Sequence, residues 1–200
     1  MNFLAHIYLS GDSDQVKVGN FIGDFVKGNH YKNFPPLVSK GIIMHRRIDA
    51  YTDTNTIVKS SAVPFREKYG RYAGIVIDIL YDHFLTRSWH HHSLLPVNEY
   101  VEHFHHALDA NQHLLPEAIK MFIHRFISFN WLLSYNDLSG IERVLKGMSK
   151  RTSLPGETKF AMDVIEKNYT SLENHFNQFF PMLKNHVSMN FKIIFPSSNF

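Results

Sequence analysis

The stretch Ile75-Val-Ile-Asp-Ile-Leu-Tyr-Asp-His-Phe-Leu85 places two carboxylates in an otherwise apolar segment. Asp78 and Asp82 are four residues apart, so a helix projects both from one stripe. A helix that is apolar on every other side is normally buried, and a buried carboxylate is costly unless a cation or several donors compensate it. The segment therefore predicts a central helix whose acidic stripe faces a positive partner. A divalent metal is the economical candidate for that partner.

Composition limits the class of protein and the kind of metal site. The 200 residues are 44% hydrophobic, which is enough for a sizeable core in one domain over residues 1–200. There is no cysteine, so disulfides and thiolate metal sites are excluded and imidazole and carboxylate remain as ligands. The net charge of +3 favours an acidic partner but is too diffuse to indicate nucleic acid.

The sequence also gives an expectation for location. No apolar run reaches the roughly 18 to 20 residues of a membrane span, and the first residues lack the basic region of a signal peptide. We therefore expect a cytoplasmic protein with no membrane partner. The sequence does not indicate an oligomeric state.

Apolar residues recur with helical spacing almost throughout the chain. Caps, prolines and glycines divide it into helical segments at 14–27, 35–53, 56–68 (divided at Pro64), 71–89, 96–114, 116–135, 138–150 and 156–180. The only β-like run is 191–195, within a tail (190–200) whose structure the pattern does not specify. The sequence predicts a single all-α domain of seven to nine helices.

The helix over 35–53 carries a second polar cluster. Its polar face holds His45, Asp49, Thr52 and Asp53. An imidazole and a carboxylate at positions i and i+4 can ligate one metal ion, although Asp49 can equally orient His45 or pair with Arg46. Together with the acidic stripe of the central helix, the pattern favours a metal site built from two helices.

Four other residues are ambiguous on pattern alone. Asp24 lies on the polar side of its segment, which is typical of a solvated residue, and His6 fits a half-buried, hydrogen-bonded histidine. Arg46 and Arg87 are our candidates for gripping a phosphate, because a guanidinium can pair with its oxygens through parallel hydrogen bonds. The commoner role of an arginine is a surface charge.

Several blocks resemble the acyl carrier protein phosphodiesterase family, an unusual branch of the HD metal-dependent phosphohydrolases. They run in order to about residue 185 and include Met1-Asn-Phe-Leu-Ala-His6, Gly19-Asn20, Gly23-Asp-Phe-Val-Lys-Gly-Asn29, Phe34-Pro-Pro36, Met44-His-Arg-Arg-Ile-Asp49 with Thr52-Asp53, and Asp78 to Leu85 with Arg87 and Trp89. The resemblance implies an HD-phosphohydrolase-like fold and hydrolysis of the phosphodiester between 4′-phosphopantetheine and a serine of holo-acyl carrier protein. Manganese is the expected metal, with Mg²⁺ or Fe²⁺ as other divalent candidates.

The resemblance also implies site residues. By position, the metal-site candidates are Asp24, His45, Asp49, Asp78 and Asp82. The expected catalytic residues are His6, which would manage protons, and Arg46 and Arg87, which would stabilise the phosphoryl oxygens. A basic rim is expected to attract the acidic carrier: Lys27, Lys32, Arg46, Arg47 and Arg87. Ordinary HD enzymes have adjacent His-Asp residues, whereas Asp82-His83 has the reverse order.

Two other functions fit the sequence. One is a metal phosphohydrolase of the same architecture that acts on a nucleotide or another small phosphoester. The other is a non-enzymatic helical module that binds the carrier protein or stores metal. For an enzyme, Asp82→Asn is expected to abolish turnover in a protein that still folds.

Overall fold

The computed structural model describes residues 1–195, apart from the side chain of Ala118. Its α-helices are α1 (Phe3–Leu9), α2 (Asp14–Phe21), α3 (Pro36–Thr54), α4 (Thr56–Ala62), α5 (Arg66–Tyr69), α6 (Ala73–Arg87), α7 (Val97–Ala110), α8 (Glu117–Ser128), α9 (Leu138–Ser149) and α10 (Thr158–Phe191). Short 3₁₀ turns join several of them, and residues 1–195 contain no strand. The predicted all-α class is confirmed. None of these helices combines the length and the hydropathy of a membrane span.

Several predicted helix ends were wrong. The helix predicted over 116–135 ends at Ser128, and a separate 3₁₀ helix over Trp131–Asn136 follows it. The helix that begins at Asp14 ends at Phe21 instead of continuing to 27, because the chain turns into a 3₁₀ helix over Gly23–Phe25. The last helix continues through Pro181 to Phe191, beyond the predicted end at 180, and residues 192–195 form no strand. Buried apolar residues continue at helical spacing after the proline, so their packing outweighs its missing hydrogen bond. The rest of the tail, residues 196–200, lies outside the described residues.

Helix α6 lies in the centre of the fold, as its composition predicts. It packs against α1, α4, α9 and α10. Ile77, Leu80 and Leu85 are fully buried, and they belong to one continuous core cluster that extends from Met1 to Ile193. The burial of apolar surface around α6 is therefore the main source of the stability of this fold.

The acidic stripe of α6 meets the amino end of α1. The backbone N–H groups of Leu4 and Ala5 donate to the two carboxylate oxygens of Asp82, at 2.8 and 3.3 Å. The Met1 ammonium donates to Asp78 at 2.8 Å. Helix α1 has no side-chain cap of its own, and the free N–H groups in the first turn of a helix favour an anion. The positive partner of Asp82 is therefore a helix terminus, where the sequence led us to expect a metal.

Burial makes this arrangement electrostatically demanding. Asp82 is fully buried, which raises the pKa of its carboxyl to about 7 although the Leu4 amide, the Met1 ammonium and the Ala5 amide each lower it. Both carboxylate oxygens of Asp82 are engaged by backbone amides, so the structure does not present this residue to a metal. Asp78 is 30% exposed and faces a cavity beside α1.

Asp82→Asn is expected to lower the free energy of unfolding by about 1–3 kcal/mol, because an amide group would then face a backbone N–H that needs an acceptor. Urea unfolding at pH 8 would measure this change. The matched control is Asp163→Asn on the exposed side of α10, for which we expect unchanged stability. Equal stability of the two variants would show that Asp82 does not hold α1.

Candidate active site

Close packing of α2 and α3 brings the polar clusters together. A Cβ atom at Gly41 of α3 would overlap the backbone of Val16 and Asn20 in α2, so only glycine allows this approach. Helix α3 then presents His45 and Asp49 to the face of α1 that carries His6. The site is thus assembled from helices that are adjacent in the sequence, with α1 fixed in place by α6.

His6 is held by a buried hydrogen-bond network that sets its tautomer. The Asn20 side-chain nitrogen donates to the His6 carbonyl oxygen at 2.8 Å and to Ser10 Oγ at 2.9 Å, so Asn20 Oδ1 is the acceptor for His6 Nδ1, also at 2.8 Å. His6 Nε2 then carries the lone pair of the neutral ring. It lies 3.2 Å from both the Met1 carbonyl oxygen and Asp49 Oδ1. A lone pair that faces two oxygens requires a proton or a cation between them.

His45 is buried beside the same carboxylate. Its Nε2 lies 3.1 Å from Asp49 Oδ2 and 3.2 Å from Asp24 Oδ1, and its ring stacks on that of His6 with centroids 4.2 Å apart. The residue is 5% exposed, yet neither ring nitrogen makes a hydrogen bond of good geometry. A Cβ atom at Gly23 would overlap the His45 ring, so this glycine makes room for the imidazole.

The charges of the cluster are strongly coupled. Burial lowers the pKa of His45, but the contacts with Asp24 and Asp49 outweigh burial and raise it to about 9. Burial likewise raises the pKa of Asp49, whereas His45 and His6 together hold it far below its usual range. Burial and the adjacent His45 lower the pKa of His6. Without a metal, the cluster therefore holds one imidazolium between carboxylates.

These side chains line one wall of a cavity of about 750 Å³. Helix α6 contributes another wall through Gly74, Ile75, Asp78 and Ile79, and the end of α9 contributes Gly147, Met148, Arg151 and Thr152. The remaining lining residues are Met1, Asn2, Phe3, Asp24, Phe25, Asp53, Arg71, Phe122 and Trp131. The cavity thus has an ionisable section at α1 and α3 and a mainly apolar section between α6 and α9.

The cluster could supply ligand atoms for a divalent metal ion. One ligand atom each from His6, His45 and Asp49 lie within 4.8 Å of one another. Two imidazole nitrogens and one carboxylate suit a first-row transition metal such as Mn²⁺ or Fe²⁺ better than Mg²⁺, which prefers oxygen ligands. The unsatisfied nitrogens of His45 and the lone pair of His6 also fit a cation. His6, which we predicted to manage protons, is therefore placed among the ligand atoms.

The cavity lining contains most, but not all, of the predicted site residues. Those that line it are His6, Asp24, His45, Asp49 and Asp78. Arg46 does not, because it donates to the Val26 carbonyl oxygen at 2.7 Å and stacks over Tyr31. Arg87 is exposed at the far end of α6, about 13 Å along the helix axis from Asp78. Neither arginine is therefore placed to bind a phosphate in this cavity.

Two arginines that we did not single out line the cavity instead. Arg71 donates to the Tyr72 hydroxyl at 2.7 Å and stacks over its ring, and Arg151 lies over the ring of Trp131. Arg71 lies seven residues, or about two helical turns, before Asp78 in the helical segment predicted over 71–89. The two residues therefore share a face of that predicted helix, and this spacing could have indicated Arg71. Arg151 follows α9 and reaches the cavity only through tertiary packing, so no local signal identifies it.

Comparison with known proteins gives the family. The family of acyl carrier protein phosphodiesterases matches residues 1–183. The chain belongs to this family. Two relatives are named acyl carrier protein phosphodiesterase, one from Enterobacter sp. (strain 638) and one from Escherichia coli (strain K12 / DH10B). Each is 36% identical to this chain over 187 residues, which are 92% of this chain and 95% of the relative. No solved structure matches the chain.

The predicted family membership is confirmed, and with it the enzyme class, a phosphoric diester hydrolase. An HD-like arrangement of the helices stays a prediction. The family match covers every element that lines the cavity.

Gly23→Ala is expected to displace the His45 ring from Asp24 and Asp49. The pKa of His45, about 9 in the metal-free protein, should then fall toward the ordinary value of 6.5. Histidine proton NMR over a pH titration would measure it. The control is Gly156→Ala, where an added Cβ meets no atom within 4 Å. An unchanged His45 titration in Gly23→Ala would contradict the steric role of Gly23.

Proposed function

We propose that this protein hydrolyses the phosphodiester between 4′-phosphopantetheine and a serine of holo-acyl carrier protein, releasing apo-carrier and phosphopantetheine. The relatives are named for this substrate class. The observation that carries the proposal is the cluster of His6, His45 and Asp49 on the wall of a cavity large enough for a prosthetic group.

A divalent cation is part of the proposal, because His6, His45 and Asp49 could ligate one and further carboxyl groups lie around them. The cavity lining includes the carboxyl groups of Asp24, Asp49, Asp53 and Asp78. Burial and the nearby Asp78 raise the pKa of Asp53, which reflects the crowding of negative charge. We infer that His6, His45 and Asp49 hold Mn²⁺ or a similar ion. When bound, such an ion screens the phosphate charge and activates water near neutral pH.

The other residues of the cluster would orient and move protons. Asn20 accepts from His6 Nδ1 and so fixes the ring with Nε2 beside Asp49, which would hold that nitrogen in place for an ion. Asp24 is more exposed than Asp49 and contacts the same His45 nitrogen. If His45 Nε2 held a metal ion in place of a proton, Asp24 Oδ1 would be available to accept a proton from water.

The direct test is to incubate the purified protein with Mn²⁺ and holo-acyl carrier protein and to weigh the carrier by mass spectrometry. We expect the carrier to lose the mass of phosphopantetheine. His45→Ala and Asp49→Ala should each lower the rate by more than about 100-fold, since each removes a proposed ligand. The control is His106→Ala, an exposed histidine on α7 that does not line the cavity.

Other results would favour the other functions. An unchanged holo-carrier together with turnover of small phosphoesters would indicate a phosphohydrolase for another substrate. Tight binding of the carrier without turnover of any phosphoester would indicate a binding module. Equal rates for Asp49→Ala and His106→Ala would exclude the proposed metal ligands.

Arg71 and Arg151 are proposed to attract the acidic carrier to the cavity. We expect Arg71→Ala and Arg151→Ala to raise KM for holo-carrier about 3- to 10-fold at low salt with little change in kcat, because exposed charges mainly steer association. The effect should shrink at about 0.5 M salt. Arg87→Ala is the matched control, since Arg87 is exposed but lies away from the cavity. An equal increase for all three variants would argue against a specific role of the cavity arginines.

A further inference from the structure

Two glycines on the cavity wall have neither a conformational nor a packing reason to be glycine. Gly74 lies in the first turn of α6 and Gly147 lies in the last turn of α9. Neither has a positive φ angle. A Cβ atom at Gly74 would meet nothing within 4 Å, and at Gly147 it would meet only the Arg151 guanidinium, at 3.4 Å. Glycine destabilises a helix relative to alanine, so both positions give up helix stability without improving contacts.

The space beside these glycines is the apolar section of the cavity. We define the α6–α9 section by its lining residues Gly74, Ile75, Trp131, Gly147 and Met148. Ile75, Trp131 and Met148 are only half-buried, so each leaves apolar surface open to the cavity. An apolar wall of this kind gains free energy when a ligand covers it. The section belongs to the same cavity as the wall that carries His6, His45 and Asp49.

We propose that the α6–α9 section binds the pantetheine arm of the carrier-bound prosthetic group, and that Gly74 and Gly147 keep it wide enough for the arm. This inference rests on the proposed function. The arm is covalently attached to the phosphate, so a phosphate at His6, His45 and Asp49 places the arm within the same cavity. The carrier serine, on the other side of the phosphate, remains toward solvent.

The chemistry of the arm matches this section better than the surface of the carrier does. The arm is an uncharged chain of methylene, methyl and amide groups with one hydroxyl group and a terminal thiol. The five residues that define the α6–α9 section are likewise uncharged. An acidic protein surface would instead be attracted to the arginines at the edge of the section, Arg71 and Arg151. A cavity of about 750 Å³ accommodates a small-molecule ligand and not a folded domain.

The two glycines would act on substrate specificity through size alone. A side chain at either position would project into the section without touching the cluster on α1 and α3. At Gly74, where an added Cβ meets no atom within 4 Å, the substitution would exclude the arm while the metal ligands and the carrier-binding charges stay unchanged. At Gly147 an added Cβ already meets the Arg151 guanidinium at 3.4 Å, and at Gly23 it collides with His45.

The test is Gly74→Leu, with Gly74→Ala as a smaller replacement and Gly156→Leu as the matched control outside the cavity. Calorimetry on EDTA-treated protein would compare the affinities for holo-carrier and apo-carrier, which differ only by the prosthetic group. We expect Gly74→Leu to weaken holo-carrier binding by about tenfold or more and to leave apo-carrier binding unchanged. Its Tm and its Mn²⁺ affinity should not fall, and Gly156→Leu should bind both carriers like the wild type.

Three results would overturn the inference. If Gly74→Leu and Gly74→Ala both bind holo-carrier like the wild type, the arm does not occupy this section. If Gly74→Leu weakens holo- and apo-carrier binding equally, the protein surface of the carrier contacts the section. If the wild-type protein with Mn²⁺ leaves holo-carrier intact and binds it no better than apo-carrier, the proposed function fails and the inference fails with it. In the first two cases, cleavage of holo-carrier by the wild type would show that the proposed function survives.

Discussion

The buried contact between Asp82 and the amino end of α1 is the interaction on which the rest of the site depends. Helix α1 spans only Phe3–Leu9, which is too short to be stable without tertiary contacts. Its first amides are satisfied by a carboxylate from the central helix, so α1 is fixed relative to α6 before any ligand binds. Because His6 is on α1, this contact determines where its Nε2 lies. The buried Asp82 carboxylate thus holds in place the helix that carries a functional side chain.

The cluster of His6, His45 and Asp49 also depends on the compensation of charge. Two stacked, buried imidazoles lie against the partly exposed carboxylate of Asp49. In the metal-free protein, a proton on His45 neutralises part of the negative charge. A divalent cation would compete with that proton for the same nitrogen, so occupancy by metal and by proton are mutually exclusive. In either state, a positive charge would lie between the His45 nitrogen and the carboxylates of Asp24 and Asp49.

Periodicity was sufficient for the coarse fold and for part of the site. The all-α class, the central position of α6 and the shared face of His45 and Asp49 follow from spacing, because they depend on one helix at a time. The partner of Asp82 could not be deduced in the same way. A helix terminus supplies its positive charge through backbone amides, which leave no side-chain signature in the sequence. The same reasoning from charge alone led us to a metal, which is only one of several ways to compensate a carboxylate.

The glycines show most clearly what a single sequence leaves open. Gly23 and Gly41 are required by contacts, since an added Cβ would overlap His45 or the backbone of α2. Gly74 and Gly147 border open space and would accept a side chain without a clash in the ligand-free protein. In the sequence these four residues look alike, and only the packing divides them into two groups. At Gly23 and Gly41, the missing side chain allows the helices and His45 to pack into the site. At Gly74 and Gly147, we infer that the missing side chain leaves room for the substrate.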